Sequence, residues 1–408
     1  MTQPSPDDRF DSTARWMRNE LVDSLIRQRV VRSARLEEAL RTVPRHRFVP
    51  EVDLEQAYRD DVVLTKTDTE GRPTSSVSQP TIVALQLEQA LPRPGTKVLE
   101  IGAGRCYNAA LLAHLVGEQG HVVTIDIDAE MVSIGAHTLA QLGYDNVTVK
   151  CADGAHGDTS AAPFSLISVT TGAADIPPAW FEQLAIGGRM VVPLTIRSLT
   201  RSIGFVREED RLVSESIEPC GFISMQGSTA AADELFELTE GITLEVGEDQ
   251  PIDPAALQAS VTAAGTQRWS RITIGHEAGT LSELDLWMAM ACRQYGRVYI
   301  APFAAARDPH GWVAPSGASA TWNAHSLAYV IMRESANRDR VELGVQAFGP
   351  ERDTLAEHMI DHIRAWNENA RKTQRPRIYA YPAETPTDDL VTGRIVDKPL
   401  SRLVITFD

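Results

Sequence analysis

Residues 97–112 read KVLEIGAGRCYNAALL, and this stretch decides the fold class of the chain. Three apolar side chains within residues 98–101 are typical of a short strand buried in a parallel sheet. Gly102 and Gly104 then allow a tight turn in which bare backbone can approach a ligand. Helical composition follows the turn. The stretch therefore predicts the first unit of a Rossmann-like α/β sheet, which binds its ligands at the carboxyl ends of the strands.

The residues of this turn distinguish between two classes of cofactor. A nicotinamide or flavin site prefers G-x-G-x-x-G or G-x-G-x-x-A, and the sixth position here is the bulky Tyr107. Glu100 stands two residues before the first glycine, and E-x-G-x-G resembles motif I of S-adenosylmethionine-dependent methyltransferases. An acid suits the sulfonium and amino group of that cofactor better than it suits a pyrophosphate. We therefore expect S-adenosyl-L-methionine as cofactor, with a turn that binds no ligand as the alternative.

Strand and helix signals alternate after this unit. They predict a strand at 121–128, a helix at 129–142, a strand at 146–150, a strand and loop at 163–177, a helix and strand at 180–194, and a hairpin at 202–218. The predicted sheet has seven strands, mostly parallel, with an antiparallel strand at its end. Together with the motif I resemblance, this implies the Rossmann-like fold of class I methyltransferases.

Acidic and small residues stand where these strands end. Asp126 follows the glycine turn by about 20 residues, the place of a ribose-binding acid, and Ile127 comes next. Asp153 could hydrogen-bond an adenine amino group. Thr170 ends the fourth strand, with a plain loop hydroxyl as its alternative. The candidate cofactor residues are Glu100, Gly102, Ala103, Gly104, Asp126, Ile127, Asp153, Gly154 and Thr170.

The composition excludes several classes of protein. The 408 residues are 43% apolar and 23% charged, as in ordinary globular domains. A net charge of −16 argues against nucleic acid or an anionic membrane as partner, and no apolar run reaches the about 18 residues of a membrane helix. The four cysteines form no C-x-x-C pair, and the N-terminus has no signal-peptide pattern. We expect a cytoplasmic protein without a metal site.

The sequence before the glycine turn predicts two helices and a polar loop. Apolar spacing predicts helices over 13–31 and 34–42. The loop SVSQP (76–80) then opens a third helix, and Pro80 suits the first turn of that helix. Backbone N–H groups and hydroxyls together make such a loop a suitable place to bind a carboxylate.

The order of these motifs resembles the protein-L-isoaspartate O-methyltransferase family over about residues 15–225. The resemblance lies in the N-terminal helices, in LEIGAGRCYNAALL and CADG, and in SVSQP, which resembles the family's T-I-S-Q-P signature. It implies that Ser78 is the catalytic hydroxyl that orients a substrate carboxylate. Capping of the following helix is the alternative role for Ser78. The candidate substrate residues are Ser76, Val77, Ser78 and Gln79.

The chemistry that this resemblance implies needs no general base. An aspartyl or isoaspartyl carboxylate has a pKa of about 3.9 and is an anion at neutral pH, so the enzyme has to position the carboxylate and exclude water. Arg105 and Cys106 depart from the family, which has a small residue and a third glycine there. A turn reshaped by these two residues would support a non-catalytic cofactor-binding protein instead.

The chain runs about 180 residues beyond the methyltransferase sheet. We predict a flexible tail at 1–14, a cofactor-binding domain at 15–225, a linker at 226–255 and a C-terminal α+β domain at 256–408. Within the last domain, residues 311–326 predict a long loop. The C-terminal domain would capture a peptide or cover the active site, with an oligomer interface or a stabilising cap as alternatives.

The extra length and the AGRCYNAALL variant resemble a family branch found in lanthipeptide biosynthesis. That branch methylates an aspartate of a ribosomally made precursor peptide, and the ester cyclises to an aspartimide that can hydrolyse to isoaspartate. The leading hypothesis is a carboxyl O-methyltransferase for such a peptide. The alternative is a repair methyltransferase for isoaspartyl residues, and the second alternative is the non-catalytic binder.

Overall fold

Two large β-sheets flanked by helices form the framework of the protein in the computed structural model of the chain. Among the residues that the structure describes, no helix combines the length and the apolar character that crossing a bilayer requires. The structure describes residues 6–227, 234–247, 250–275, 278–302, 312–335, 339–373 and 376–407.

Three helices, a 3-10 turn and a hairpin at the start of the chain form its N-terminal layer. Their bounds are α1 (Pro6–Arg27), α2 (Ala34–Thr42), a 3-10 turn (Arg45–Phe48), α3 (Leu54–Tyr58), β1 (Val63–Thr67) and β2 (Pro73–Val77). On α1, Ala14, Val22 and Leu25 are buried at helical spacing. The predicted tail at 1–14 is wrong for residues 6–14, because the helix extends toward the N-terminus from this packed face. The residues before α1 lie outside the described ranges.

The first sheet holds the glycine turn near its centre. Its first seven strands are β3 (Lys97–Ile101), β4 (His121–Asp126), β5 (Val147–Cys151), β6 (Phe164–Val169), β7 (Leu184–Ile196), β8 (Leu199–Arg207) and β9 (Leu212–Pro219). Their helices are α4 (Pro80–Ala90), α5 (Tyr107–Val116), α6 (Ala129–Gln141) and α7 (Pro178–Gln183). The order β9-β8-β7-β6-β3-β4-β5 is parallel from β7 to β5 and antiparallel at β8 and β9. The predicted methyltransferase sheet is confirmed.

Burial explains why β3 is a central strand. Val98 and Leu99 point to opposite faces of the sheet and are both fully buried, as expected when helices cover each face. The following helix α5 is apolar on nearly all sides and is also buried. The glycine turn is therefore fixed between a buried strand and a buried helix.

The second sheet is antiparallel throughout. Its strands are β10 (Glu234–Thr239), β11 (Ile242–Val246), β12 (Thr266–Gly275), β13 (Gly296–Ile300), β14 (Ala318–Trp322), β15 (Leu327–Glu334) and β16 (Arg340–Phe348). Its helices are α8 (Pro254–Val261), α9 (Ala278–Ala291), α10 (Arg352–Glu368) and the short α11 (Ala370–Thr373). Among the described residues the strand order is β10-β11-β13-β14-β15-β16-β12.

Two segments that we predicted to be a linker and a loop contain strands of this sheet. The predicted linker at 226–255 contains β10 and β11, whose apolar side chains Leu238 and Leu244 are buried in the sheet's core. The predicted loop at 311–326 contains β14, which is buried along its whole length. Both predictions undercounted strands because short strands at polar or small-residue positions gain their stability from tertiary packing.

The last three strands return to the first sheet. They are β17 (Pro376–Pro382), β18 (Arg394–Asp397) and β19 (Ser401–Phe407), and β17 pairs with β9. Within the described residues the first sheet therefore has ten strands instead of the predicted seven. The predicted domain at 256–408 is corrected accordingly: the second sheet is an insertion between β9 and β17. Strand pairing across such a distance leaves no periodic signal in the sequence.

An arginine from the first sheet fixes the inserted region. Arg197 lies in the turn between β7 and β8 and donates hydrogen bonds to the carbonyls of Ala289, Cys292 and Arg293 at the C-terminal end of α9. These carbonyls have no partner inside the helix, and a cation at this end also complements the helix dipole. The contact joins the inserted region to the methyltransferase sheet.

Candidate active site

The glycine turn has the backbone shape that its sequence requires. Gly102 has a φ of +96°, and a Cβ atom there would lie 2.9 Å from Thr170 Oγ1. The backbone N–H groups of Gly102 and Ala103 both donate to the Ile125 carbonyl, over 2.8 and 3.0 Å. Only glycine combines this dihedral angle with so close a neighbour. The turn is thereby held against β4 and the end of β6.

The departure at Cys106 leaves this turn intact. Cys106 takes a φ of 66°, the left-handed conformation in which a glycine would be unstrained. Its side chain is fully buried, and the space for its sulfur comes from Gly135 on α6, where any Cβ atom would overlap Cys106 Sγ. A cysteine is therefore accommodated by a glycine on the neighbouring helix. The reshaped turn on which the non-catalytic alternative depended is not observed.

The bulky side chain of Tyr107 packs against residues near the N-terminus. Its ring lies under the buried guanidinium of Arg45, with 5.1 Å between Arg45 Cζ and the ring centroid, and against Phe48. Arg45 also donates from Nη2 to the Val77 carbonyl over 3.2 Å. The N-terminal layer thus holds both the start of α5 and the loop SVSQP (76–80), the substrate loop.

Glu100 lies beneath the turn and is completely buried. Its carboxylate accepts hydrogen bonds from Asn108 Nδ2, over 2.8 Å, and from the Thr124 hydroxyl. Burial raises the pKa of Glu100 to about 7, against the opposing effect of these two hydrogen bonds. Glu100 therefore ties β3, β4 and α5 together, and the structure does not place its carboxylate on the surface of the cleft.

Asp126 and Ile127 lie at the carboxyl end of β4, as expected. Asp126 Oδ2 accepts from the Gly104 N–H over 2.7 Å, and its Oδ1 accepts from the Asp128 N–H over 2.9 Å. Burial raises the pKa of Asp126. Ile127 is 45% exposed, unusual for a large apolar side chain beside a sheet. An acid and an exposed apolar side chain at this edge fit the ribose and the adenine ring of S-adenosylmethionine.

Asp153 and Gly154, the other cofactor candidates, follow the neighbouring strand β5. Asp153 caps a short 3-10 turn by accepting from the Ala155 N–H over 2.9 Å. Gly154 is packed so closely on Ile101 that a side chain would clash, and its carbonyl accepts from Trp180 Nε1 over 2.9 Å. These residues form the continuation of the same sheet edge from β4 to β5.

The substrate loop and the glycine turn meet in one cleft. Six of the predicted site residues line this cleft. The other lining residues were not assigned to the site from the sequence, and one of them is Arg105, which departs from the family pattern. The lining consists of Ser76, Val77, Ser78, Val83, Gln86, Gly102, Ala103, Arg105, Tyr107, Asn108 and Thr170. Gln79 is not among them, because its amide donates to the Asp60 carbonyl over 3.2 Å.

The hydroxyl of Ser78 is free, and it does not cap α4. Across the described part of the chain, no hydrogen-bond partner is found for this hydroxyl. The N-terminus of α4 is capped instead by Asp60, which accepts from the Thr81 N–H over 2.9 Å and from its hydroxyl over 2.6 Å. The capping alternative for Ser78 is therefore wrong.

The unassigned lining residues follow from helix geometry. Val83 and Gln86 are three residues apart on α4, and Val83 lies one turn beyond Pro80, so they share the face that begins at the substrate loop. Gln86 Nε2 donates to the Val169 carbonyl over 3.1 Å, next to Thr170. Applying the same spacing to α4 and α5 would have found Gln86 and Asn108.

Comparisons with known proteins agree with this geometry. The family model of protein-L-isoaspartate(D-aspartate) O-methyltransferase matches residues 16–230, about half of the chain. A protein-L-isoaspartate O-methyltransferase from Methanopyrus kandleri is 40% identical over 190 residues, which are 46% of this chain and 81% of that protein. One from Koribacter versatilis is 36% identical over 211 residues, 52% of this chain and 91% of that protein.

A structural likeness extends further along the chain. A solved protein-L-isoaspartate O-methyltransferase superposes with a TM-score of 0.51 and 21% identity, covering 89% of this chain and 96% of that one. The covered part of this chain is much longer than the half matched by the family model. The chain belongs to the protein-L-isoaspartate(D-aspartate) O-methyltransferase family and is an S-adenosylmethionine-dependent carboxyl methyltransferase.

Proposed function

We propose that the protein methylates the free carboxylate of isoaspartyl residues in proteins or peptides. The observation that carries this proposal is the free hydroxyl of Ser78 in the cleft that also contains the glycine turn. A hydroxyl without an internal partner is available to donate to a carboxylate oxygen. The names of the similar proteins support the isoaspartyl substrate.

The residues fit S-adenosylmethionine, which supplies an activated methyl group on a sulfonium. The exposed Ile127, Asp126 and the glycine turn would hold it along the sheet edge, and Ser78 would orient the acceptor. The bound cofactor would supply its methyl group to a carboxylate oxygen that Ser78 orients, with the carbon–sulfur bond broken as the oxygen–carbon bond forms and S-adenosylhomocysteine as the leaving group. The protein's contribution is positioning and exclusion of water, because the acceptor is already an anion.

A pair of peptides of identical sequence tests this proposal. One contains isoaspartate, the other ordinary aspartate, and methyl transfer is followed by mass spectrometry with S-adenosylmethionine present. We expect one added methyl group on the isoaspartyl peptide and none on its isomer. Equal methylation of both, or of neither, would contradict the proposal.

A second candidate acceptor is an aspartate of a ribosomally made precursor peptide of the lanthipeptide kind. The inserted second sheet favours it, because this region lies outside the residues matched by the family model and adds surface that could hold a long peptide. A precursor encoded beside the gene should then gain one methyl group and afterwards lose methanol as the aspartimide forms. An unmodified precursor, together with a methylated isoaspartyl peptide, would eliminate this candidate.

A further inference from the structure

We propose that Arg105 is a further substrate-binding residue, which holds the acceptor carboxylate together with Ser78. This inference rests on the proposed function, because it assumes that a carboxylate is the methyl acceptor. It concerns a position at which the chain carries a cation in place of the small residue implied by its family resemblance.

Arg105 is the one charged residue among those that line the described cleft. Its side chain is only 11% exposed, yet its charge is incompletely matched. Nη2 contacts Glu51 Oε1 at 3.2 Å, whereas the buried Nε has no hydrogen-bond partner within the described ranges. A buried guanidinium donor without an acceptor is costly, and a bound carboxylate would remove that cost.

The position of Arg105 favours the acceptor over the cofactor's own carboxylate. Its ion-pair partner Glu51 follows the 3-10 turn of the N-terminal layer, the layer that also supports the substrate loop through Arg45 and the Val77 carbonyl. The adenosine candidates Asp126 and Asp153 lie at the ends of β4 and β5, on the sheet edge. The guanidinium therefore extends toward the substrate side of the turn.

Arg105 and Ser78 supply complementary donors to one ligand. A carboxylate has two oxygens, and one of them must remain available to attack the methyl carbon. A hydroxyl and a guanidinium in the same cleft can orient the carboxylate by donating to the oxygen that does not attack. They can also donate to those lone pairs of the attacking oxygen that point away from the methyl carbon. Charge-assisted hydrogen bonds of this kind are about twice as strong as neutral ones.

Glu51 competes with the acceptor in this arrangement. Its side chain is 41% exposed, and its carboxylate contacts the same guanidinium that would bind the substrate. Removal of the Glu51 charge should therefore strengthen acceptor binding, while removal of the Arg105 charge should weaken it. A purely structural ion pair predicts the same direction for both changes.

Peptide binding to the S-adenosylhomocysteine-saturated protein tests the inference without requiring turnover. The probe is an amidated peptide whose sole carboxylate is that of its isoaspartate. Its Kd is measured by calorimetry for the wild type, for Arg105→Gln and Glu51→Gln, and for the control Arg364→Gln. We expect a Kd roughly 10- to 100-fold higher for Arg105→Gln, about 2- to 10-fold lower for Glu51→Gln, and unchanged for Arg364→Gln. A matched isoasparagine peptide should be insensitive to Arg105→Gln.

Several results would overturn the inference. Unchanged peptide affinity in Arg105→Gln would do so, and so would equal weakening by Arg105→Gln and Glu51→Gln. 5′-Methylthioadenosine lacks the amino-acid part of the cofactor. If Arg105→Gln weakens the binding of S-adenosylhomocysteine but not that of 5′-methylthioadenosine, Arg105 binds the cofactor's carboxylate instead of the acceptor. Wild-type protein that binds the isoaspartyl peptide but transfers no methyl group would refute the proposed function alone, since the Arg105 and Glu51 comparison remains measurable.

Discussion

The Ser401 hydroxyl donates a buried hydrogen bond to Asp175 Oδ1 over 2.5 Å, although the two residues are 226 positions apart in the chain. Asp175 Oδ2 also accepts from the Leu400 N–H over 2.6 Å. Lys398 adds a hydrogen bond from Nζ to the Ala174 carbonyl. The start of β19 is thereby attached to the loop that follows β6, and this loop begins with the cleft residue Thr170.

Substitution Asp175→Ala should therefore affect both stability and the cofactor site. It leaves the buried Ser401 hydroxyl and the partly buried Leu400 N–H without their acceptor, and we expect the free energy of unfolding to fall by about 2–4 kcal/mol. We also expect weaker S-adenosylhomocysteine binding, because the loop after β6 loses its anchor. Urea unfolding and calorimetry measure the two effects. The exposed Asp388→Ala is the matched control, and equal behaviour of both variants would show that the anchor is unimportant.

Substitution Ser78→Ala should reduce catalysis without reducing stability. The hydroxyl has no partner in the described structure and does not cap α4, so the unfolding midpoint should stay unchanged. We expect kcat/KM to fall roughly 10- to 100-fold through poorer orientation of the acceptor, at unchanged affinity for S-adenosylhomocysteine. Ser75→Ala, which removes a hydroxyl bonded to Thr65 in the same hairpin, serves as the control. A fully active Ser78→Ala enzyme would remove Ser78 from the mechanism.

The buried Glu100 predicts a defined pH dependence of stability. Its pKa is about 7 in the folded protein against an ordinary 4.5, so the folded state retains a proton that the unfolded chain has lost between these values. The stability that Glu100 contributes by holding this proton is fully present below pH 4.5 and is lost as the pH rises to about 7.

The variant Glu100→Gln lacks this titration. Relative to the wild type, its free energy of unfolding should rise by about 3 kcal/mol between pH 4.5 and 7.5. Urea unfolding of both proteins across this range measures the difference, with the exposed Glu182→Gln as the matched control. Parallel pH profiles of wild type and Glu100→Gln would mean that the carboxyl is not perturbed by burial.

The packing of Cys106 on Gly135 predicts a non-additive pair of substitutions. Gly135→Ala places a methyl group against Cys106 Sγ and should lower stability by about 1–3 kcal/mol. Cys106→Gly removes the sulfur and suits the left-handed φ of 66°, so it should relieve much of that loss in the double variant. Ser133→Ala, on the exposed face of α6, is the control for helix propensity. Strict additivity in thermal or urea unfolding would show that the two side chains do not compete for space.

Local pattern could predict part of the site. Gly102, Ala103 and Thr170 were assigned from strand ends and a glycine turn, whereas Ser78 was assigned from the family resemblance of its loop, and all four line the cleft. Glu100 shows where this reasoning stops. Its spacing before the glycines is that of a cofactor motif, but its burial and its two hydrogen bonds depend on Thr124 and Asn108, which a pattern around the turn does not specify.

The sequence by itself determined the fold class and the identity of the cofactor turn. Both depend on short-range chemistry: a buried apolar run, glycines at positive φ and an acid at a strand end are all set within a few residues. The tertiary structure decided which distant segments meet. It placed β17 to β19 in the first sheet, Asp175 on Ser401, and Arg105 beside Glu51 in the cleft that the substrate loop also lines. Strand pairing and buried hydrogen bonds are selected by packing of the whole chain, and this selection leaves no periodicity in any single stretch.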